Sequence, residues 1–285
     1  MKSAEQRYAE RVKRRERDGM GKGTGLSYRP WLTVQSVPSH GLVHRCVGKI
    51  GRTHHLLSNG EVDCFNILDR SRHTYDIREQ IPLLPLSETQ EIAKEIGCRH
   101  PQELIRTPEG KRRVDHVMTT DFLIDLADAD GFPPHLAISY KMRSDLDGTT
   151  SRKLKNLLDK AEIERRYWGR RGILFIFVTE AEIPEPVRLN FKLLSQHRDL
   201  TGFTCESEAA EVAAHLAEHI QAAPGAALKE HCNAVDQSLG LERGTAISLA
   251  FHSIWHRRWI VDLRRPIDAN LPLLDLIVAD PMRSS

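Results

Sequence analysis

An aspartate, a serine and a lysine form the clearest chemical pattern in this sequence. Asp121 lies in the apolar run 119–126, and Ser139 and Lys141 lie two residues apart in the run 136–141. The Asp, Gly and Pro residues between the two runs predict a β-hairpin. Because residues two apart on a strand face the same side, Ser139 and Lys141 can address one site. A carboxylate that holds a hard cation beside an ammonium group suits metal-assisted phosphodiester hydrolysis, although the same residues also occur as surface decoration of ordinary hairpins.

Longer sequence strings around the hairpin help to decide between a nuclease site and surface decoration. The strings PWLTVQ, HHLLS, DIREQ followed by PLLP, and ERRYW occur in that order between Tyr28 and Thr179. Together they resemble the TnsA endonucleases of heteromeric, Tn-seven-like cut-and-paste transposons. In that family a glutamate after HHLLS, the aspartate of a V-M-x-T-D-F string and the lysine of a Q-x-K tripeptide form the nuclease site. By this resemblance the catalytic residues here are Glu61, Asp121 and Lys141.

The resemblance implies a restriction-endonuclease-like α/β core, with a mixed sheet flanked by helices. It also implies a Mg²⁺-dependent endonuclease that nicks the 5′ strand at transposon ends, with Mn²⁺ able to substitute and two ions in the site. Glu61, Asp121 and the Tyr140 carbonyl would hold the metal. The implied partners are transposon-end DNA, a DDE transposase subunit that cuts the 3′ strand, and an AAA+ ATPase regulator.

Ser139 departs from the family pattern, which has glutamine at this position. A serine hydroxyl is shorter and is a poorer ligand for Mg²⁺, so we assign Ser139 a supporting role. Because of this departure, one alternative interpretation is that the chain is a catalytically weak assembly adaptor. A stand-alone restriction or repair nuclease of the same fold also remains an alternative.

Two glutamates each allow a structural and a functional interpretation. The string Ser58-Asn-Gly-Glu61 is a capping-box pattern, in which Glu61 would satisfy the N-cap amide of a helix. The resemblance instead makes Glu61 a metal ligand. Glu164 lies on the apolar face of a helix predicted for residues 151–170, so its carboxylate needs a partner. That partner would be a nearby arginine, such as Arg165 or Arg166, or the catalytic lysine, and we assign Glu164 a supporting role.

Composition and length are those of an ordinary globular protein. The chain has 285 residues, of which 40% are hydrophobic and 28% charged, and its formal net charge is +2. No apolar run approaches the ~20 residues that a membrane helix needs, and the sequence begins without an apolar signal core. We therefore expect a cytoplasmic protein that joins the nucleoid when active. We expect two domains, residues 1–184 and 185–285, separated by a linker at Pro184 and Pro186.

The N-terminal segment concentrates positive charge. Residues 1–30 hold nine Lys and Arg against four Asp and Glu, and they end in the glycine-rich string GMGKGTG. We predict a basic flexible arm in which Arg14 and Arg15 contact DNA phosphates. A solvated terminus without a DNA role fits the pattern nearly as well.

Further elements follow from periodicity and capping signals. We predict short strands within 31–50 with a turn at 38–41, a helix at 58–70, an extended segment at 75–84 and a helix that ends at Gly97. The continuous apolar run GILFIFVT predicts a fully buried strand.

The C-terminal part predicts a mainly helical, winged-helix-like domain. An acidic helix at 206–222 precedes two helical patterns, and WIVDL is predicted to pair near LPLLDLIV. Arg257 and Arg258, with Trp255 and Trp259, are candidates for a DNA-end contact. Protein docking is the alternative, and the acidic helix and the resemblance favour it.

Overall fold

The computed structural model describes residues 2–36, 43–108, 110–127, 134–147, 150–200 and 206–279. The turn predicted at 38–41 lies outside these residues. The chain divides into two compact units, Met1–Glu182 and Ile183–Ser285.

The first unit contains most of the strands. In chain order its elements are α1 (Ala4–Arg17), β1 (His44–Val47), β2 (Thr53–Leu56), α2 (Asn59–Arg70), β3 (Thr74–Pro82), α3 (Leu86–Glu95), β4 (Gln102–Thr107), β5 (Gly110–Asp115), β6 (Thr119–Leu126), β7 (His135–Tyr140), α4 (Ser144–Asp147), α5 (Ser151–Gly169) and β8 (Leu174–Val178). The predicted hairpin, the extended segment and the helices α2, α3 and α5 are confirmed. The residues described between 31 and 50 contain one strand, β1, which pairs antiparallel with β2.

A four-stranded mixed sheet in the order β3-β6-β7-β8 forms the centre of this unit. The pairs β3–β6 and β6–β7 are antiparallel, and β7–β8 is parallel. Helix α5 provides the crossover that a parallel pair requires, and it packs against β8 and α3. The core between sheet and helices includes Leu83, Ile92, Leu123, Ile163 and Trp168. The predicted mixed α/β class is confirmed.

Strand β8 is not fully buried, so that prediction is wrong. It is the last strand of the sheet in the described part of the chain, and Leu174 and Ile176 are 54% and 37% exposed. A continuous apolar run is typical of strands covered on both faces. Here α5 packs on β8, while Leu174 and Ile176, which lie two residues apart on one face of the strand, stay exposed.

The predicted flexible arm is also wrong, because α1 is a capped helix that packs on the first unit. Ser3 and Gln6 form a reciprocal capping box at its start. Tyr8 is buried, and its hydroxyl accepts a hydrogen bond from the Val117 amide at 2.6 Å. Helix α1 lies against β4 and β5, a hairpin that our sequence analysis did not predict. Most β5 side chains are exposed and charged, which removes the alternating pattern of a half-buried strand.

The second unit is mainly helical. Its elements are α6 (Glu185–Leu194), α7 (Glu206–Ala222), α8 (Leu228–Ser238), α9 (Thr245–Trp255), β9 (Trp259–Ile260) and β10 (Ile277–Val278). Helices α7, α8 and α9 pack on one another around Leu216, Leu228 and Leu249. The antiparallel pairing of β9 with β10 confirms the predicted contact between the WIVDL and LPLLDLIV strings.

Two details of the second unit correct the sequence analysis. Pro184 is the N-cap of α6 and Pro186 lies in its first turn, where the missing N–H of proline is tolerated, so the pair begins a helix and is not a linker. Trp255 and Trp259 are buried in the helical core, at 4% and 1% exposure, so neither can stack on a DNA end. No helix in the described part of the chain is long and apolar enough to span a membrane.

Candidate active site

Asp121 lies at the centre of the site, near the start of β6. Its Oδ2 atom accepts hydrogen bonds from the Lys141 ammonium at 3.0 Å, the Tyr140 amide at 2.8 Å and the Ser139 hydroxyl at 3.2 Å. Antiparallel pairing of β6 with β7 brings these residues together, as the hairpin prediction required. Within the described residues every hydrogen bond to this carboxylate ends on Oδ2, and none reaches Oδ1.

Glu61 lies in the first turn of α2. The Ser58 hydroxyl caps the helix by accepting from the Glu61 amide at 3.1 Å. The Glu61 carboxylate accepts from the Leu57 amide at 2.9 Å, one residue before the N-cap, so the predicted bond to the N-cap amide is wrong. Gly60 allows α2 to approach β7, since a Cβ atom there would lie 1.9 Å from the ring of Tyr140. The cap therefore holds Glu61 beside the end of β7.

Lys141 follows β7 and bridges two oxygens. Its ammonium group lies 3.0 Å from Asp121 Oδ2 and 2.6 Å from the Tyr140 carbonyl, and 24% of its side-chain surface is exposed. An ammonium has three N–H donors, so one remains for a water molecule or a phosphate oxygen. Ser139 is 2% exposed and donates to Asp121, which confirms that Ser139 and Lys141 address one site.

Glu164 is buried, and neither of the two nearby arginines, one of the alternatives left open by the sequence, is its partner. Arg165 and Arg166 both pair with Glu162. Glu164 accepts from the Thr120 hydroxyl at 2.9 Å and lies 4.0 Å from the Lys160 ammonium. The i,i+4 spacing of Lys160 and Glu164 on α5 was a signal in the sequence for this pair. Thr120 is adjacent to Asp121, so these contacts tie α5 to the strand that carries the aspartate.

The site buries the carboxylates of Glu61, Asp121 and Glu164, with the ammonium groups of Lys141 and Lys160 close to two of them. Burial and the nearby Asp121 carboxylate raise the pKa of Glu61 to about 7. Burial likewise raises the pKa of Glu164 to about 7, despite Lys160. For Asp121 burial acts in the same direction, but Lys141 and Lys160 outweigh it and hold its pKa below the ordinary value. Asp121 is therefore the carboxylate that stays ionised, and a further cation would favour ionisation of Glu61.

This arrangement predicts a pH dependence for Glu164→Gln in metal-free protein. The pKa of Glu164 is raised from 4.5 to about 7, so its stabilising protonated form is present below pH 4.5 and is lost as pH rises through 7. The shift corresponds to a loss on the order of 3 kcal/mol. A neutral amide avoids this loss, so we expect the variant to unfold at higher denaturant concentration than wild type at pH 8, and at a similar one at pH 4.

Glu162→Gln is the matched control on the same helix. Side-chain hydrogen bonds from Arg165 and Arg166 lower the pKa of Glu162 to about 2 despite partial burial, so its substitution gives no gain at pH 8. If the stability of wild type and of Glu164→Gln depended on pH in the same way, Glu164 would not be a buried carboxylate with a raised pKa.

Gln80, at the end of β3, is a neighbour of the site that sequence reasoning missed. Its side-chain amide donates to Glu61 Oε2 at 3.2 Å. The signal was present in the DIREQ string, which ends on this residue.

The donor set fits a hard divalent cation. Glu61, Asp121 and the Tyr140 carbonyl offer oxygen atoms of the kind Mg²⁺ prefers. The Lys141 ammonium already places positive charge across Asp121 Oδ2 and the Tyr140 carbonyl. In the described part of the chain no three His, Cys, Asp or Glu side chains converge on one metal position, so water or DNA phosphate would complete the coordination.

The four candidate DNA-contact arginines lie on α1 in the first unit and just after α9 in the second. Arg14 is exposed on α1, whereas Arg15 is half-buried with its guanidinium 5.3 Å from the Trp31 ring centre. In the second unit, Arg257 and Arg258 lie between α9 and β9. Arg258 is 3.7 Å from Glu206, an acidic neighbour that reduces its attraction for phosphate.

Comparison with known proteins finds similar sequences over most of the chain. Residues 71–180 match a family model described as TnsA-like endonuclease N terminal, and residues 182–263 match one described as TnsA endonuclease C terminal. The chain is also 38% identical over 241 residues to the Escherichia coli protein named transposon Tn7 transposition protein TnsA. That match covers 83% of this chain and 80% of the relative.

Proposed function

Because this chain belongs to the TnsA family of transposition endonucleases, we propose that it is a Mg²⁺-dependent DNA endonuclease that nicks the 5′ strand at transposon ends. It acts in concert with a DDE transposase subunit that processes the 3′ strand. The observation that carries the proposal is the convergence of Glu61, Asp121 and Lys141 from α2, β6 and the end of β7. These are the residues that the family motifs designate.

Each residue has a distinct role in this proposal. Asp121 Oδ1 and Glu61 hold the cation, with the Tyr140 carbonyl as a further ligand. When bound, Mg²⁺ polarises the scissile phosphate and acidifies a water molecule. Lys141 orients the attacking water through its remaining N–H and offsets the charge that develops on the phosphate. Ser139 holds Asp121 in place through its hydroxyl and is not itself a ligand.

We extend the proposal to two ions, with Mn²⁺ as a substitute. The protein oxygens at hand are few, since Lys141 shares both Asp121 Oδ2 and the Tyr140 carbonyl. A second ion would therefore take most of its ligands from the DNA phosphate and water, as Mg²⁺ commonly does.

Helix α1 supplies a surface for the DNA backbone. Arg7, Arg14 and Arg17 recur on α1 at spacings of seven and three, which places them along one side of the helix. The hydrogen bond between Tyr8 and Val117 anchors this helix to the segment just before β6. A row of arginines fixed relative to Asp121 neutralises phosphates at a defined distance from the cut, which a flexible arm would not do.

For the second unit we propose protein docking through a winged-helix-like fold. Helices α8 and α9 with the β9–β10 pair have the required order of elements. The burial of Trp255 and Trp259 and the acidic neighbour of Arg258 favour a protein partner over DNA. The DDE transposase and the AAA+ regulator are the partners we propose.

Strand-resolved cleavage tests the function. Full-length protein, the transposase subunit and DNA with labelled transposon ends are incubated with Mg²⁺, with Mn²⁺ or with a chelator. We expect a 5′-strand nick that needs both the metal and the transposase. Cutting of DNA by this chain alone would favour a stand-alone nuclease.

One observation supports an adaptor as the second candidate. The Lys141 ammonium contacts both Asp121 Oδ2 and the Tyr140 carbonyl, and Ser139 adds no acidic ligand, so metal must compete with an existing cation. If the complete reaction leaves the 5′ strand uncut while 3′ joining requires this chain, the adaptor is correct.

A further inference from the structure

Gln80 has a strained backbone that its surroundings hold in place. Its φ is 50°, in the left-handed region that non-glycine residues seldom adopt. The Tyr28 hydroxyl donates to the Glu79 carbonyl at 2.8 Å, and the Trp31 amide donates to the Gln80 carbonyl at 3.2 Å. Strain of this kind persists only where several contacts enforce it, and it is concentrated at functional sites.

The preceding residue, Glu79, anchors the strand at this point. Its carboxylate is fully buried and accepts from both terminal nitrogens of Arg52, at 3.0 and 2.7 Å. His54 Nδ1 lies 2.9 Å from the same carboxylate. A two-pronged arginine–carboxylate contact fixes orientation as well as distance. The backbone on the N-terminal side of Gln80 is therefore rigid.

The side chain of Gln80 joins the elements that carry the two carboxylates. Its Oε1 accepts from the Thr119 hydroxyl at 3.1 Å, and Thr119 is two residues from Asp121 on β6. Its Nε2 donates to Glu61 Oε2 at 3.2 Å. Since Glu61 Oε2 also accepts from the Leu57 amide, two donors hold this oxygen. The other oxygen, Oε1, meets only the Ser58 hydroxyl at 3.2 Å in the described structure.

We propose that Gln80 is a positioning residue: its amide holds Glu61 by Oε2 and thereby leaves Oε1 as the oxygen that binds the cation with Asp121. This inference rests on the proposed metal-dependent function. From a left-handed backbone near the end of β3, the Gln80 amide contacts both Glu61 and Thr119. Partners of metal ligands commonly change metal affinity by 10–100-fold when they are removed.

Gln80→Gly separates positioning from stability in the full-length protein. Glycine adopts a φ of 50° without strain, which offsets part of the stability lost with the two side-chain hydrogen bonds, so we expect a folded variant with a modestly lower melting temperature. The amide is lost, so we expect the affinity for Mn²⁺, measured by calorimetry in the absence of DNA, to fall about 10-fold. In the cleavage reaction the Mg²⁺ concentration for half-maximal rate should rise by a similar factor, with the rate partly restored at high Mg²⁺.

Gln80→Leu removes the amide and keeps the side-chain bulk, and it should weaken Mn²⁺ binding as Gln80→Gly does. Gln102→Leu is the matched control. The Gln102 amide donates a 2.9 Å hydrogen bond to Asp115, which is not part of the candidate site. The Gln102→Leu variant should leave Mn²⁺ affinity unchanged.

Asp121→Ala separates the two hypotheses. If wild type binds Mn²⁺, Asp121→Ala does not, and both Gln80 variants bind as wild type, the positioning role is wrong and the proposed function stands. If wild type binds no Mn²⁺, or Asp121→Ala binds as wild type, the metal site and the role of Gln80 fail together.

Discussion

We expect Asp121→Ala to abolish the proposed 5′ nick at transposon ends while the 3′ strand is still processed. Asp121 has the only carboxylate in the described site whose pKa lies below its ordinary value. Its removal would take a ligand from a proposed metal site that has few protein ligands. The change also removes the anionic partner of the Lys141 ammonium. Both the metal ion and the lysine side chain would then lack the carboxylate that positions them. The measurement is strand-resolved cleavage with transposase and Mg²⁺ present.

Asp125→Ala is the control for this substitution. Asp125 is on the same strand and pairs with Arg78, and His135 Nδ1 lies 2.8 Å from it, so it tests the effect of losing an ion pair in β6. We expect Asp125→Ala to lower stability and to keep the nick. Nicking at the wild-type rate by Asp121→Ala would show that the β6–β7 hairpin is not catalytic.

We expect Lys141→Ala to lower the rate of the proposed 5′ nicking by on the order of 10²-fold or more, as removal of other preorganised charge stabilisers does. The nearly buried Asp121 and Glu61 remain, so we expect Mn²⁺ binding to persist, which separates this effect from loss of the metal. We expect Lys141→Arg not to restore the rate. A planar guanidinium is bulkier than an ammonium and cannot reach Asp121 Oδ2 and the Tyr140 carbonyl from the same position.

Lys155→Ala is the matched control for lysine removal, because Lys155 pairs with Asp159 on the exposed side of α5. It should nick at the wild-type rate. Full activity in Lys141→Arg would instead mean that the site needs only a positive charge and no defined donor geometry.

The sequence predicted the parts of the site that depend on local structure. The Gly, Pro and Asp residues between two apolar runs were sufficient to predict the hairpin that joins Asp121 to Ser139 and Lys141. The Ser58 cap predicted where α2 begins, because capping depends on residues only three positions apart. Family motifs then selected Glu61, whose side chain alone fits a cap as well as a metal site.

Tertiary structure decided what the elements contact. The local sequence does not distinguish an edge strand from a central one, so the prediction that β8 is fully buried was wrong. The basic composition of α1 predicted an arm, whereas burial of Tyr8 against Val117 makes α1 part of the fold.

Long-range contacts likewise decided the surroundings of the carboxylates. Glu164 meets Thr120, 44 positions away, instead of an adjacent arginine, and Gln80 joins Glu61 to Thr119 from a backbone conformation that no propensity favours. Short-range preferences determine helices, turns and caps in this protein, because the interacting groups lie within a few residues. The charge balance of the site was decided only by folding, because burial and distant partners set the pKa values of its carboxylates.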